Sequence, residues 1–491
     1  MQKVLAVIIF IALLISVSGC VSNPGDEHGV ALSVDSTESK SDNNSVQDVG
    51  FSITEYTEND ISSDTTVQTT VSAIKPTTQS TFDTTTKPAS QSAISTTTKT
   101  TTSQPLDNTT TNPNELRQRL YPVTNYAAMK AVWVSQFDMQ LVFSADLGTY
   151  THRVQTIINN LKGYGFNTII FQVRPYADSF YPSSVYPPSQ FLTGKGVAYD
   201  AFKIFLDEAK KQAFSVHAWI NPMRGPLETV LPSVDNKYKI KQWWDDPETR
   251  GKLIVKDTDN RVYLNPSYGE VRNLIAQGAA EIVEKYNVDG IHFDDYFDKA
   301  CFKTGDMIDF DINEANYASF RRNVVSKLVK EIYGAVKTVN PNVPVGVSPA
   351  GIISNVINND MADVTAWCSQ KGYVDYICPQ VYFGLEHQNY DFIKVCRQWS
   401  ALITEPSITL YIGLTIGKAV SEYDAYAGTG KYEWRDNKDV IKRCLEYVKT
   451  MEKAKGISIF CYQYLFDPVS GEKNQSSLEE VNGFLPVMNR L

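Results

Sequence analysis

Between Ala131 and Tyr464 the chain repeats one pattern eight times: a short apolar or alternating run, then a turn, then an amphipathic helical stretch. The runs are Ala131–Ser135, Thr168–Arg174, Ser215–Asn221, Val288–Asp295, Val343–Pro349, Val374–Tyr382, Ile408–Thr415 and Gly456–Tyr464. Their length suits strands, and the segments between them carry a helical period. Ile275, Ala279, Ile282, Val283 and Tyr286 share one face, as do Phe320, Val324, Leu328, Ile332 and Val336. Strands alternating with helices imply an α/β fold with parallel pairing, and eight is the number that closes a (β/α)8 TIM barrel. A doubly wound open sheet is the rival architecture, but its glycine-rich phosphate loop is missing after the first run.

The segment before this pattern reads differently. Lys3, the apolar run Val4 to Ile15 and the small residues Ser18-Gly19 form an export signal over residues 1–19. Val17-Ser18-Gly19-Cys20 resembles the bacterial lipobox, which implies cleavage before Cys20 and lipidation of its sulfur. Acyl chains on Cys20 anchor a protein to a membrane surface outside the cytoplasm. Residues 20–120 are dense in Thr, Ser, Asp and Asn, with too few large apolar side chains to offset chain entropy, so they read as a disordered tether. A flexible segment of about 95 residues spans roughly 50 to 60 Å, which places residues 126–491, the barrel, within reach of a cell wall.

Composition removes several function classes. A net charge of -9 opposes a nucleic-acid partner, which needs a basic footprint. The seven cysteines show no CxxC pair, and no His-x-His follows the first strand, so neither a zinc module nor a metal-dependent hydrolase is expected. No cofactor is called for. The six cysteines after Cys20 read mostly as free, buried thiols.

Side chains alternate faces along a strand, so Ile169, Phe171 and Val173 should face the helices while Gln172 and Arg174 point inward. The same parity turns His217, Trp219 and Asn221 inward on the third strand, His292 and Asp294 on the fourth, and Cys378, Gln380 and Tyr382 on the sixth. Arg174, Asn221, Asp294 and Gln380 therefore gather at strand C-termini, where barrel enzymes place their chemistry. His217 and His292 also read as packed or supporting histidines. Glycosidic hydrolysis uses two carboxyls, one to protonate the leaving oxygen and one to attack or activate water. Asp294 is the main candidate; Asp178, Asp295, Glu386 and Asp138 compete for the second place. Aromatic residues near the strand ends, among them Tyr176, Phe180, Tyr181, Trp219, Phe297, Tyr382, Phe383, Tyr462 and Tyr464, suit stacking on sugar rings.

Together, Ala131-Val132-Trp133-Val134, Phe171-Gln172-Val173-Arg174-Pro175, His217-Ala218-Trp219-Ile220-Asn221-Pro222, Tyr263-Leu264-Asn265-Pro266, Asp289-Gly290-Ile291-His292-Phe293-Asp294-Asp295-Tyr296-Phe297, Gly346-Val347-Ser348-Pro349 and Pro379-Gln380-Val381-Tyr382 resemble the bacterial glycosyl-hydrolase-like family 10 domain. The resemblance spans Lys130 to about Tyr464. It implies a barrel glycosidase, usually an envelope lipoprotein, with a relative that cleaves peptidoglycan strands stripped of their peptide stems. Carried over by motif, Arg174, Asp178, His217, Asn221, Arg224, Asp294, Asp295, Ser348, Gln380 and Tyr382 line the cleft, with Glu386 in the loop after the sixth strand. The chain departs from the family at Asp298-Lys299 and at Ala350-Gly351. A non-catalytic glycan-binding protein and a hydrolase of another extracellular polysaccharide are the alternatives.

Overall fold

The computed structural model describes residues 118–491 apart from Tyr296, Asp298 and the side chain of Lys299. The signal segment, Cys20 and nearly all of the tether lie outside the described residues. Eleven strands follow in chain order: β1 Met129–Val134, β2 Thr168–Arg174, β3 Ser215–Ile220, β4 Arg224–Leu227, β5 Ile254–Lys256, β6 Arg261–Leu264, β7 Gly290–Phe293, β8 Val345–Val347, β9 Tyr376–Ile377, β10 Thr409–Thr415 and β11 Ala454–Phe460. Eight of them, in the order β1-β2-β3-β7-β8-β9-β10-β11, close a barrel in which every pairing is parallel. All eight expected runs are found. Each barrel strand is followed by at least one helix, including Leu147–Tyr164, Ala201–Lys211, Gly269–Lys285, Glu314–Val339, Phe392–Leu402, Val440–Val448 and Leu478–Met488.

Several strands are shorter than the expected runs, β7, β8 and β9 most of all, and at β7 and β9 there is a local reason. At β7 the carboxylate of Asp289 accepts N–H groups from Thr124 and Val216 below the ladder, so Asp289 caps the strand instead of extending it. After β9 the ladder stops near Pro379, which has no N–H to donate; beyond it Gln380 makes only isolated bridges to Ala350 and Gly413.

A three-stranded antiparallel sheet, ordered β4-β6-β5, was not foreseen. Its strands are three or four residues long, and β4 is Arg-Gly-Pro-Leu. Glycine and proline in so short a strand leave no alternating pattern to read. This sheet sits between β3 and the helix Gly269–Lys285, beside the barrel mouth.

Strand parity holds through most of the barrel. Phe171 packs outward, 4.1 Å from the ring of Phe205. Inside, the phenol of Tyr376 lies 2.8 Å from His217 Nδ1 and 2.9 Å from His292 Nδ1, and Trp133 Nε1 lies 3.3 Å from His292 Nε2. Burial pushes His217 down to about 3 and His292 well below its usual value, so both rings stay neutral. Gly290 and Gly346 make room for these large rings: a β-carbon at Gly290 would fall 2.6 Å from His217, and one at Gly346 2.0 Å from Tyr376.

Parity fails at the end of β2. The register slips between Gln172 and Arg174, so that Arg174 stands opposite the outward-facing Ile220. This bulge turns Arg174 away from the barrel lumen and into the layer beneath the helix Gly269–Lys285. The six described cysteines are all free and buried.

Outside the barrel lumen, Glu480 caps the helix Val440–Val448 by accepting the Ile441 N–H, and its second oxygen has no partner. Burial pushes its carboxyl up to about 7 from an ordinary 4.5. Because the folded value is the higher one, this stabilisation is complete below pH 4.5 and is lost as pH rises through 7. Glu480→Gln keeps the accepting oxygen and removes the charge. Relative to wild type, the variant should gain about 1 to 3 kcal/mol between pH 5 and pH 8, read from urea midpoints at the two values. An unchanged difference would contradict the shift.

Candidate active site

Three neighbouring strands end together at the C-terminal mouth. Phe293 of β7 pairs with Ile220 of β3 on one side and Val347 of β8 on the other. The next residues, Asn221, Asp294 and Ser348, therefore stand side by side on the inward parity. Asp294 is only 3% exposed, and the indole N–H of Trp219 donates to its Oδ2 at 2.9 Å. Asn221 Nδ2 and Ser348 Oγ are buried without hydrogen-bond partners, which leaves a donor and a hydroxyl flanking the carboxylate.

Asp295 follows in the turn and is half-buried. Tyr382 ties the two carboxylates to the β9 end: burial and the charges of Asp295 and Asp294 hold its phenol well above the ordinary range. Its ring packs 5.9 Å from Phe460 of β11. Asp294, Asp295 and Tyr382 thus lie at the mouth beyond the ends of β7 and β9, within reach of one another's charge.

A belt of amides borders the cluster. Gln136 N–H donates to Gln172 Oε1 at 2.8 Å, Gln172 Nε2 donates to Asn221 Oδ1 at 2.8 Å, and Gln136 Nε2 donates to the Tyr176 hydroxyl at 2.6 Å. The guanidinium groups of Arg224 and Arg261 lie 5.1 and 4.3 Å from the Tyr176 ring, so the small sheet adds two cations to this side of the mouth. Gln136 and Arg261 were missed by sequence reasoning. Gln136 follows the first run directly, but as the first residue of the short helix Gln136–Val142 it is marked by no strand periodicity; Arg261 lies in a strand that was itself unread.

Several expected residues are placed elsewhere. Arg174 is behind the barrel wall, as the bulge requires. His217 is packed among Gly290 and Tyr376, two strand layers below Asp294, and it does not reach the cleft. Asp178 accepts the Tyr176 N–H at 2.9 Å and is held by the Ser189 hydroxyl, so it pins the loop after β2; burial pushes its carboxyl up to about 6. Asp138 is fully buried and accepts from Ser135 and from Gln463 N–H, closing a capping box on the helix Gln136–Val142. Glu386 is exposed, and it is its backbone N–H that is held, by buried Glu433. Gln380 donates to the Ser348 carbonyl at 3.1 Å, which places it at the mouth as a support for β8. Of the expected aromatics, Phe180, Tyr181, Phe297 and Tyr462 are core residues, 2% exposed or less, while Tyr382 and Phe383 remain half-exposed.

Trp219 orients Asp294, and a hydrogen bond to a charged group contributes about 1.5 to 3 kcal/mol. If the site is catalytic, Trp219→Phe should accordingly lower kcat roughly 10- to 100-fold with near-native melting, measured on any soluble substrate that is turned over. An unchanged kcat would remove Trp219 from the site.

Comparison with known proteins identifies the family. The model of the family described as glycosyl hydrolase-like 10 matches residues 128–426, which contain Trp219, Asp294, Asp295 and Tyr382. The protein named glycosyl hydrolase DigH from Escherichia coli (strain K12) is 28% identical over 377 residues, covering 69% of this chain and 84% of the relative. The one named glycosyl hydrolase YngK from Bacillus subtilis (strain 168) is 26% identical over 383 residues, covering 72% of this chain and 71% of the relative. The chain belongs to the glycosyl hydrolase-like 10 family and is a glycoside hydrolase on a (β/α)8 barrel.

Proposed function

We propose that this enzyme cleaves glycan strands of the cell envelope, most specifically peptidoglycan that has lost its peptide stems, and that it works outside the cytoplasm on a lipid anchor at Cys20. The reading is carried by one observation: Asp294, oriented by Trp219 and flanked by Asn221 and Ser348, stands with Asp295 and Tyr382 at the barrel mouth. As the bond from the anomeric carbon to the leaving oxygen breaks, Asp294 attacks that carbon or stabilises its positive charge, and Asp295 gives a proton to the leaving oxygen. Water, deprotonated by the same group, completes hydrolysis. Asn221 and Ser348 bind sugar hydroxyls. Asp178 and Glu386 have no part in the chemistry on this reading, since one pins a loop and the other is exposed.

The substrate rests on the sequence resemblance, on the signal segment with its lipobox-like end, and on a tether long enough to reach the wall. Digestion of purified peptidoglycan, intact and amidase-stripped, by the full chain tests it. Mass spectrometry should find glycan fragments released from stripped strands. Pelleting with the glycan but no release from either substrate would favour a binding protein. Neither binding nor release would point to a different polysaccharide.

A further inference from the structure

The guanidinium that leaves the barrel at the β2 bulge has no hydrogen-bonded counter-charge. Arg174 is completely buried, and its plane lies 4.4 Å from the centre of the Tyr186 ring. Both groups rest on the helix Gly269–Lys285 at Gly278, where a β-carbon would come within 2.3 Å of Arg174 Nη1 and of the Tyr186 ring. None of the three Arg174 nitrogens has a hydrogen-bond partner, and neither does the Tyr186 hydroxyl. Tyr181, also buried, adds a second phenol that feels the Arg174 charge and stands near Ser183.

The acceptors nearby are already committed. Glu281, on the same helix, takes the Ser183 hydroxyl at 2.5 Å, the Ser184 N–H at 2.6 Å, the Ser184 hydroxyl at 2.7 Å and the Lys285 ammonium at 2.8 Å. Asp178 feels the Arg174 charge, but its hydrogen bonds go to Tyr176 N–H and Ser189. A guanidinium can only donate, and an unpaired buried charge costs several kcal/mol. Water would satisfy single donors without supplying charge. A small anion does both.

We propose that Arg174, Tyr186 and Tyr181 form an internal site for a small monovalent inorganic anion of the halide class, sealed between β2 and the helix Gly269–Lys285. The site is coupled to the mouth through one backbone bond: the Arg174 carbonyl accepts the N–H of Asn221 at 2.9 Å. An anion that fixes Arg174 therefore also steadies the strand end carrying Asn221, next to Asp294.

The test melts the full chain at constant ionic strength while bromide or chloride replaces gluconate, which separates specific binding from screening. The melting temperature should rise with halide and then follow the logarithmic dependence of a ligand that binds only the folded state. Tyr186→Phe should shift the half-saturating halide concentration upward by about tenfold, the loss of one hydrogen bond. Arg174→Gln should remove the dependence. A bromide-soaked crystal of the wild-type chain decides the matter even if that variant does not fold: an anomalous peak in contact with the Arg174 guanidinium is expected. No peak there, with water filling the space, would overturn the site whatever the melting curves show.

Discussion

Asp294→Asn is expected to lower turnover by about a thousandfold or more while the melting temperature stays within a few degrees of wild type. The side chain keeps its volume and an oxygen to accept the Trp219 indole N–H, so the packing at the β7 end is preserved. What it loses is the negative charge that faces the oxocarbenium-like transition state, and removal of a catalytic carboxylate commonly costs two to four orders of magnitude. The check is kcat on released glycan fragments, paired with a thermal melt. Ordinary activity in a folded variant would sink the assignment of Asp294.

Gly346→Ala is expected to have the largest effect on stability. The new β-carbon would lie 2.0 to 2.3 Å from three carbons of the Tyr376 ring. That ring has nowhere to go, because its hydroxyl lies between His217 and His292 and its edge meets Tyr411 at 5.3 Å. Overpacking in a tight core costs about 1 to 3 kcal/mol and more where neighbours are pinned, so the upper end or beyond is expected. Urea denaturation would show it as a lowered midpoint with little change in slope. A midpoint equal to wild type would mean that the histidine and tyrosine layer is looser than the structure shows.

The barrel was legible in the sequence because eight apolar runs and their helices obey two clean periodicities. Asp294 was legible for the same reason: it is inward by parity at a strand end, and no bulge intervenes in β7. Arg174 shows where such reasoning stops. One extra residue in the β2 ladder reverses its face, and nothing in Phe171-Gln172-Val173-Arg174-Pro175 marks the slip. His217 had the right parity but the wrong depth, since parity assigns a face and says nothing of how far below the rim a residue lies.

Trp219 illustrates a different limit. It was read as an inward aromatic suited to stacking, yet its indole serves Asp294 through a reach along the barrel axis that no spacing encodes. The carboxylates at Asp138 and Asp178 were attractive by their places just after the first and second strands, and Asp178 by motif as well. Each turns out to be held by backbone N–H groups, Asp138 by those of Ser135 and Gln463 and Asp178 by that of Tyr176, which is what a buried carboxylate near a strand end does when such groups are within range. Asn221 and Tyr382 were inward by parity and Asp295 was a candidate as the residue after Asp294, with the motif agreeing on all three; Asn221 stands beside Asp294, and the charges of Asp294 and Asp295 reach Tyr382.

The central claim is that glycan cleavage takes place at the mouth around Asp294 and Asp295. The most direct measurement is a crystal structure of Asp294→Asn bound to a stem-free peptidoglycan strand. A glycosidic oxygen within hydrogen-bond distance of Asp295, with the adjoining anomeric carbon facing residue 294 and sugar hydroxyls on Asn221 or Ser348, is the predicted result. A strand bound away from this cluster, or seated there with no glycosidic bond near either position, would contradict it.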